Sequence, residues 1–137
     1  MAGVIPTCLA LILCDDVARD PVKATADLLG AFWTMEAAQL PSANRSFTIW
    51  VELTNGNGRV DMALQLAHLK PDRLEDEVLV NVPFSVNFTD PRAVQVYLSR
   101  VHDLQLEEPG DYRVMLTANG RVLLQRYFVV NRSEPAG

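Results

Sequence analysis

The stretch Leu104-Gln-Leu106-Glu-Glu-Pro109-Gly110-Asp-Tyr112 decides the fold of this chain. Its pattern is typical of a corner at which a strand crosses from one sheet of a β-sandwich to the other. An alternating apolar–polar segment follows, then Asn119-Gly120, then a second alternating segment to Val130. Because a tight hairpin turn needs positive φ at both central residues, Asn-Gly between two such segments predicts a β-hairpin.

Upstream of this corner, the longest alternating run is Val78 to Phe88. Pro83 lies inside it and has no N–H for a sheet ladder, so we expect this strand at a sheet edge or a bulge. Near the start of the chain, Leu9 to Cys14 is apolar at every position. Continuous apolar character is typical of a strand covered on both faces.

Two further segments are assigned from their turn residues. Asn55-Gly-Asn-Gly58 separates two alternating runs and predicts a second hairpin between them. Lys23 to Met35 is interpreted as one longer strand, with Gly30 at a bulge or a close approach. The charged stretch Leu69 to Glu77 contains Pro71 and is interpreted as a loop or a single helical turn.

Composition limits the classes of function. The chain has 137 residues, of which 49% are hydrophobic, and a formal net charge of −5. This length suffices for one domain with a core that needs neither disulfides nor metal. The negative charge disfavours nucleic acid or an anionic membrane as partner, and the apolar surplus favours a self-association or partner surface.

The first residues and the cysteines indicate the compartment. The apolar start lacks the basic n-region of a leader peptide, so it is interpreted as the first strand of a cytoplasmic protein. Cys8 and Cys14 are six residues apart, which on one strand puts them on the same face at a separation of roughly 20 Å. We therefore expect two reduced, buried thiols and no disulfide.

The pattern resembles a family of small uncharacterised bacterial proteins. The resemblance rests on Leu13-Cys14-Asp15-Asp16 after the first strand, on Leu28-Leu-Gly30-Ala-Phe32, on Leu40-Pro41, and on the closing Leu104–Tyr112 stretch. It covers nearly the whole chain and implies a β-sandwich fold. The family has no established activity, so the resemblance implies no function.

Loop carboxylates are the candidates for a cation site. Asp15, Asp16 and Asp20 follow the first strand, and Asp90 ends another strand. Such a cluster at one end of a sandwich suits Ca²⁺, which takes six to eight oxygen ligands. The Asp-x-Asp-x-Asp/Asn spacing of a calcium loop is absent from the sequence, and aspartate also initiates turns through its own backbone. We therefore predict no metal site and no cofactor.

The sequence carries no motif for catalysis that we recognise. His68 and His102 have no cysteine or carboxylate at a zinc-ligand spacing, and we expect them in solvent or in turns. A nucleophile elbow, a zinc-protease helix and a phosphate loop are absent from the sequence. A metal-dependent enzyme built on Asp15, Asp16 and His68 is the weakest alternative, and the chain is predicted not to be an enzyme.

Trp50 is the candidate contact residue. Alternation from Phe47 to Leu53 places it on the polar face of its strand, beside Thr48 and Glu52. Three interpretations stay open: a protein-interaction surface, a platform that stacks on sugars, and cover by a segment of the same chain such as Leu69–Glu77.

The sequence therefore predicts an all-β, two-sheet, immunoglobulin-like sandwich of about seven to nine antiparallel strands. The domain is expected over residues 1–130, with a polar tail at 131–137. The expected function is a non-enzymatic interaction or assembly module that binds another protein or itself, most simply as a homodimer, with Trp50, Thr48 and Glu52 in the interface. The alternative is a small-ligand or carbohydrate-binding sandwich.

Overall fold

A computed structural model describes residues 3–37, 43–72 and 74–132. Every regular element in these ranges is a β-strand. In chain order the strands are β1 (Thr7–Cys14), β2 (Asp16–Asp20), β3 (Thr25–Leu29), β4 (Thr34–Ala37), β5 (Ala43–Thr54), β6 (Gly58–His68), β7 (Glu77–Phe88), β8 (Gln95–Leu106), β9 (Gly110–Ala118) and β10 (Arg121–Arg132). In the described part of the chain, no helix is long and apolar enough to cross a membrane.

Two of the three sheets form a sandwich, which confirms the predicted immunoglobulin-like fold. One sheet has the order β1-β5-β8, and the other has the order β4-β10-β9-β6-β7. The third sheet is the separate β2–β3 hairpin. In the described residues, the pairings are antiparallel except that between β4 and β10, and the ten strands found there exceed the predicted upper number of nine by one.

The core lies between the two large sheets. Phe47, Ile49, Val51 and Leu53 alternate along β5, and all four are at most 3% exposed. Alternate residues of β9, from Tyr112 to Ala118, are buried in the same cluster from the opposite sheet. The period of two along each strand therefore puts one apolar face of each sheet against the other.

The corner at Leu104–Tyr112 has the predicted role. β8 belongs to the three-stranded sheet and β9 to the five-stranded sheet, so the chain changes sheets between them. The Tyr112 hydroxyl donates a 2.6 Å hydrogen bond to the carbonyl of Glu108, which ties the corner to the strand that follows it. Asn119 and Gly120 have φ of 48° and 81°, as the predicted β9–β10 hairpin requires.

The hairpin predicted at Asn55-Gly-Asn-Gly58 is wrong. This turn joins β5 to β6, which lie in different sheets, so it is a crossing between sheets. The backbone N–H of Asn55 donates to the carbonyl of Pro91 at 2.8 Å, and Asn57 forms an isolated bridge with Val4. Contacts with distant segments, rather than a ladder between β5 and β6, hold the turn.

The single strand predicted from Lys23 to Met35 is also wrong. Gly30 has φ of +65° and ends the strand pairing at Leu29, so the region divides into β3 and β4. β3 pairs with β2 in the hairpin, whereas β4 runs parallel to β10 in the five-stranded sheet. Glycine suits this position because left-handed backbone carries no Cβ penalty there.

Cys8 and Cys14 do not share a face. The pairing of β1 with β5 shifts register between Cys8 and Ala10, and one extra residue in a strand reverses the faces that follow it. Cys8 packs against the main core, while Cys14 is fully buried on the other side of the sheet. Both thiols are free, as expected, but only Cys14 is buried, because Cys8 is only half-buried.

Pro83 lies on β7, at the edge of the five-stranded sheet, as predicted. Asn131 and Arg132, the first two residues of the expected polar tail, pair with β4. Residues 133–137 and the Leu40-Pro41 pair of the resemblance lie outside the described residues.

Candidate interaction surfaces

The three predicted interface residues lie together, but they do not form an exposed surface. Thr48, Trp50 and Glu52 share the outer face of β5, as the alternation predicts. Trp50 is only 6% exposed and Thr48 only 2%, while Glu52 is half-buried. The indole N–H of Trp50 donates to Glu52 Oε1 at 2.7 Å, so the buried ring has its polar partner.

The segment that covers Trp50 is the β2–β3 hairpin, not the Leu69–Glu77 loop considered from the sequence. Cys14, Val17 and Trp50 form a second buried cluster on the outer face of the three-stranded sheet. The partly buried members of this outer cluster are Ala10, Ile12, Ala26, Leu28, Val96 and Leu98. Burial, followed by the charges of Asp15 and Asp16, raises the pKa of the Cys14 thiol, which is therefore a poor nucleophile.

The aspartates considered for calcium take part in local turns and an ion pair. Asp16 Oδ1 lies 3.2 Å from Arg100 Nη1, and Asp20 Oδ1 accepts hydrogen bonds from the backbone of the following turn. Asp90 Oδ1 accepts one from the backbone N–H of Arg92 at 2.9 Å. Within the described ranges, no three histidine, cysteine, aspartate or glutamate side chains are grouped to hold a metal ion.

His68 is buried, contrary to the expectation that it lies in solvent or a turn. It is the last residue of β6 and is 6% exposed. Its ring stacks on Tyr112 with centroids 4.4 Å apart and planes inclined by 14°. Tyr112 of the corner therefore packs against a histidine that was expected in solvent or in a turn. His102 is exposed, as expected.

A cleft of about 660 Å³ lies between the 69–72 segment and the corner before β9. Three of its charged side chains form ion pairs within the protein. Arg113 Nη1 lies 3.1 Å from Asp76 Oδ2, and Lys70 forms an ion pair with Glu77. These ion pairs tie the segment between β6 and β7 to the five-stranded sheet.

The two sheets leave one side of the sandwich open. Among the described strands, β7 pairs only with β6, and β8 pairs only with β5. Val78 and Val82 of β7 are 50% and 37% exposed, and Phe84 lies 5.8 Å from Tyr97 of β8, measured between ring centroids. A narrow groove of about 140 Å³ opens between these strands. We call β7 and β8, with this groove, the open edge.

On the opposite side, the chain covers its own strand. The carbonyl of Leu13 in β1 accepts a 2.9 Å hydrogen bond from the N–H of Phe32, and the carbonyl of Leu11 accepts one from Arg126 Nε at 2.8 Å. The Phe32 ring packs edge-on against Phe47 and Phe128. We call this side, with β1 and the segment from Gly30 to Ala37, the covered edge.

From the sequence, Trp50 was singled out as the contact residue, and Trp33 was not. It lies just before β4 and is 75% exposed, whereas Trp50 is nearly closed off from solvent. Because the strand is interrupted at Gly30, the apolar–polar alternation does not indicate which face of the sheet Trp33 occupies. The available signal was a tryptophan three residues after a glycine that interrupts the strand pattern.

A protein-family model matches residues 9–131 and is described as "Family of unknown function (DUF6941)". No curated protein sequence matches the chain. The family match spans nearly all of the described strands.

Solved structures with a similar region share little sequence with the chain. An alkylpurine DNA glycosylase of Pseudomonas fluorescens is 12% identical over 96% of this chain and 30% of its own, with a TM-score of 0.49. A β-glucosidase of Listeria innocua is 10% identical over 89% and 16%, with a TM-score of 0.46. An immunoglobulin-like protein of Pseudomonas aeruginosa is 14% identical over 89% and 97%, with a TM-score of 0.36. The chain thus spans less than a third of the two enzymes.

Proposed function

The chain belongs to this family of unknown function, and we propose from its geometry that it is a non-enzymatic assembly module that forms a homodimer through the open edge. The observation that carries the proposal is the contrast between the two sides of the sandwich. On one side, two backbone carbonyls of β1 accept hydrogen bonds from other segments of the chain, whereas on the other side β7 and β8 lie at the sheet edges beside exposed apolar side chains.

The open edge has the features of a pairing surface. β7 and β8 each contain 12 residues, which is long for edge strands. A long edge with apolar side chains is a template for another strand, and natural proteins usually protect such edges with lysine, proline or a bulge. β7 contains no lysine, and its protection is limited to Pro83 and to a bulge at Leu79, where its pairing with β6 shifts register.

A second copy of this chain is the occupant that the charge pattern favours. From Val78 to Phe88, β7 carries no charged side chain. Without charged side chains, such an edge cannot favour a charged partner by forming ion pairs. Two copies of the edge can approach each other without like-charge repulsion. In a twofold dimer each copy contributes the same surface, so an antiparallel β7–β7 contact is self-complementary.

Sedimentation equilibrium on the wild type and on Val82→Lys tests this proposal. We expect a wild-type dimer at micromolar concentration. In the variant we expect the dimer dissociation constant to rise by about 100-fold or more, because the contact would desolvate two lysines. Val122→Lys is the matched control, since Val122 is 50% exposed on β10 and lies outside the open edge.

Two results would contradict the proposal. A wild type that stays monomeric at high micromolar concentration excludes self-association, and the open edge would then be tested against other proteins. A dimer that survives Val82→Lys but is lost in Trp33→Lys places the contact around the exposed tryptophan instead.

A second candidate function, the binding of a small apolar or sugar-like ligand, is favoured by a cleft of about 450 Å³ beside Trp50. Trp50 and Val96 border it on the sheet side, and Arg19 and Thr25 border it on the hairpin side. Trp50 fluorescence in a Trp33→Phe background, titrated with a panel of sugars, tests this candidate. A saturable change in emission supports it, and an unchanged spectrum across the panel rejects it.

A further inference from the structure

The β2–β3 hairpin lies over Trp50 as a third layer outside the sandwich. Its two strands pair with each other and, in the described part of the chain, with no strand of the large sheets. A two-stranded hairpin is marginally stable by itself in water. Its position therefore depends on the side chains that it buries against the three-stranded sheet.

The hairpin is fixed firmly at its base. The N–H of Asp15 donates to the carbonyls of Leu29 and Gly30 at 2.9 and 3.2 Å, and the Asp15 side chain lies against Gly30. Next to the base, Asp16 pairs with Arg100 of β8, although both side chains are more than half exposed. Gly30 has φ of +65° and so provides a conformationally permissive position at one end of the hairpin.

The tip of the hairpin stands away from the sheet. The cleft of about 450 Å³ lies between the tip residues and the pair formed by Trp50 and Val96. Val22, at the tip, is 93% exposed, and its N–H donates to Asp20 within the turn. The tip is therefore held by local turn contacts rather than by packing against the sheet.

Only a few side chains attach the body of the hairpin to the outer cluster. Val17 is buried, and Ala26 and Leu28 are half-buried. The sheet side of the cluster is larger, because Trp50 lies in register between Ile12 of β1 and Leu98 of β8. These three residues belong to a hydrogen-bonded sheet whose other face forms the main core.

From this arrangement we propose that the β2–β3 hairpin is a lid that opens about its base, between Asp15 and Gly30, while the sandwich stays folded. Opening exposes Trp50 together with Ile12 and Leu98. Since Leu98 lies on β8, the exposed face adjoins the open edge and enlarges the apolar surface of the protein on that side. The lid thus controls the access of solvent to Trp50, and its operation does not depend on whether the chain forms a dimer.

Fluorescence quenching tests the lid directly. The chain has two tryptophans, so Trp33→Phe leaves Trp50 as the only indole. In this background, Leu28→Ala weakens the lid, and Leu124→Ala is the matched control because Leu124 is also half-buried but packs against the main core. We expect Leu28→Ala to raise the acrylamide quenching constant of Trp50 at least twofold and Leu124→Ala to leave it unchanged.

Equal quenching in the two variants, or no increase in either, would overturn the proposal, since Trp50 would then be exposed only by global unfolding. Arg100→Ala provides a second variant that removes an exposed ion pair and keeps the cluster intact. It is expected to raise the quenching constant by a smaller factor than Leu28→Ala. Far-UV circular dichroism of each variant establishes that the sandwich is folded during the measurement.

Hydrogen exchange gives an independent test on the wild type. We expect backbone N–H groups of β2 and β3 to exchange at least tenfold faster than those of β5 and β9, with rates nearly independent of low urea concentrations. Local opening exposes little surface and therefore has this weak denaturant dependence. Exchange of the hairpin at the rate and urea dependence of β9 would overturn the proposal.

Discussion

The covered edge and the open edge of this sandwich end in different ways, although both are formed by strands at the margins of the same two sheets. On the covered edge, the carbonyls of Leu11 and Leu13 in β1 receive hydrogen bonds from Arg126 and Phe32. On the open edge, β7 and β8 lie beside a groove, and Val78 and Val82 are exposed.

The difference shows how a chain distributes protection of its strand edges. Residues 30–37 add the short strand β4 beside β10 and pack the Phe32 ring against Phe47 and Phe128, so β1 is covered from within the monomer. On the open edge, β7 has Pro83 and a bulge at Leu79 as its protective features. An edge closed from within contributes to folding stability, whereas an open one contributes little until a partner closes it.

A matched pair of phenylalanine substitutions is expected to give the largest effect. Phe32→Ala removes a ring that contacts Phe47 and Phe128 at centroid distances of 5.5 and 6.3 Å. We expect the free energy of unfolding to fall by about 3 kcal/mol, because the loss leaves a cavity beside two buried rings. Phe84→Ala on the open edge removes one aromatic contact and is expected to cost the monomer about 1 kcal/mol.

Urea denaturation of both variants measures this difference in monomer stability. The protein concentration is kept below that at which the dimer forms. Phe84→Ala is also expected to weaken the dimer, whereas Phe32→Ala leaves the β7 contact in place. Equal losses of monomer stability would contradict the distinction between a closed and an open edge.

High pH acts on the core, which both edges share. Burial raises the pKa of Tyr112 from its ordinary value of 10.0 to about 12, because the phenolate loses its hydration inside the protein. The folded protein thus holds this proton more tightly than the unfolded chain. The associated stability is complete below pH 10, is lost as the pH rises to about 12, and amounts to about 2 to 3 kcal/mol.

Unfolding by urea at a series of pH values measures this loss in the wild type and in Tyr112→Phe. The variant lacks the ionising hydroxyl and is expected to lose less stability between pH 10 and 12. It is expected to be less stable by about 1 kcal/mol at neutral pH, since the carbonyl of Glu108 loses its hydrogen bond. An identical alkaline loss in both proteins would rule out Tyr112 as its source.

Alanine substitutions at two glycines with positive φ distinguish the cost of backbone strain from the cost of crowding. Gly120 lies in the β9–β10 turn, and Gly30 lies in the covered edge. Gly120 has φ of +81°, and a Cβ added there would have no neighbouring atom within 4 Å, whereas a Cβ on Gly30 meets Asp15. We expect Gly120→Ala to cost about 1 kcal/mol and Gly30→Ala about 2 kcal/mol. Thermal or urea unfolding gives both values, and adding Asp15→Ala is expected to recover part of the larger one.

Features governed by local turn chemistry were predictable from the sequence. The Leu104–Tyr112 corner and the Asn119-Gly120 hairpin need particular residues at particular backbone angles, and both formed as predicted. Pro83 restricted its strand to an edge for a similar reason. Such signals are carried by a few neighbouring residues and do not depend on the rest of the fold.

Features governed by distant packing were not predictable in the same way. Asn55–Gly58 has turn residues, but whether the strands around it pair or diverge depends on which sheet each one joins. Alternation placed Trp50 on the outer face correctly and gave no sign of the hairpin that covers it. One extra residue between Cys8 and Ala10 reversed the faces of β1, and no residue type in that stretch indicates a bulge.

Pro83→Ala is expected to have the smallest effect on stability. It is also the most direct test of whether the open edge binds a second copy through its backbone. Proline in an edge strand usually turns its nitrogen towards solvent, so alanine supplies an N–H to the open side of β7. We expect monomer stability to change by less than about 0.5 kcal/mol. The dimer is expected to tighten by roughly 30-fold, because the two copies each contribute one further hydrogen bond worth about 1 kcal/mol. Sedimentation equilibrium measures the change.

Two outcomes would contradict this prediction. A dimer of unaltered affinity would mean that side chains of the open edge make the contact without a β7–β7 ladder. A more stable monomer would mean that the new N–H faces β6.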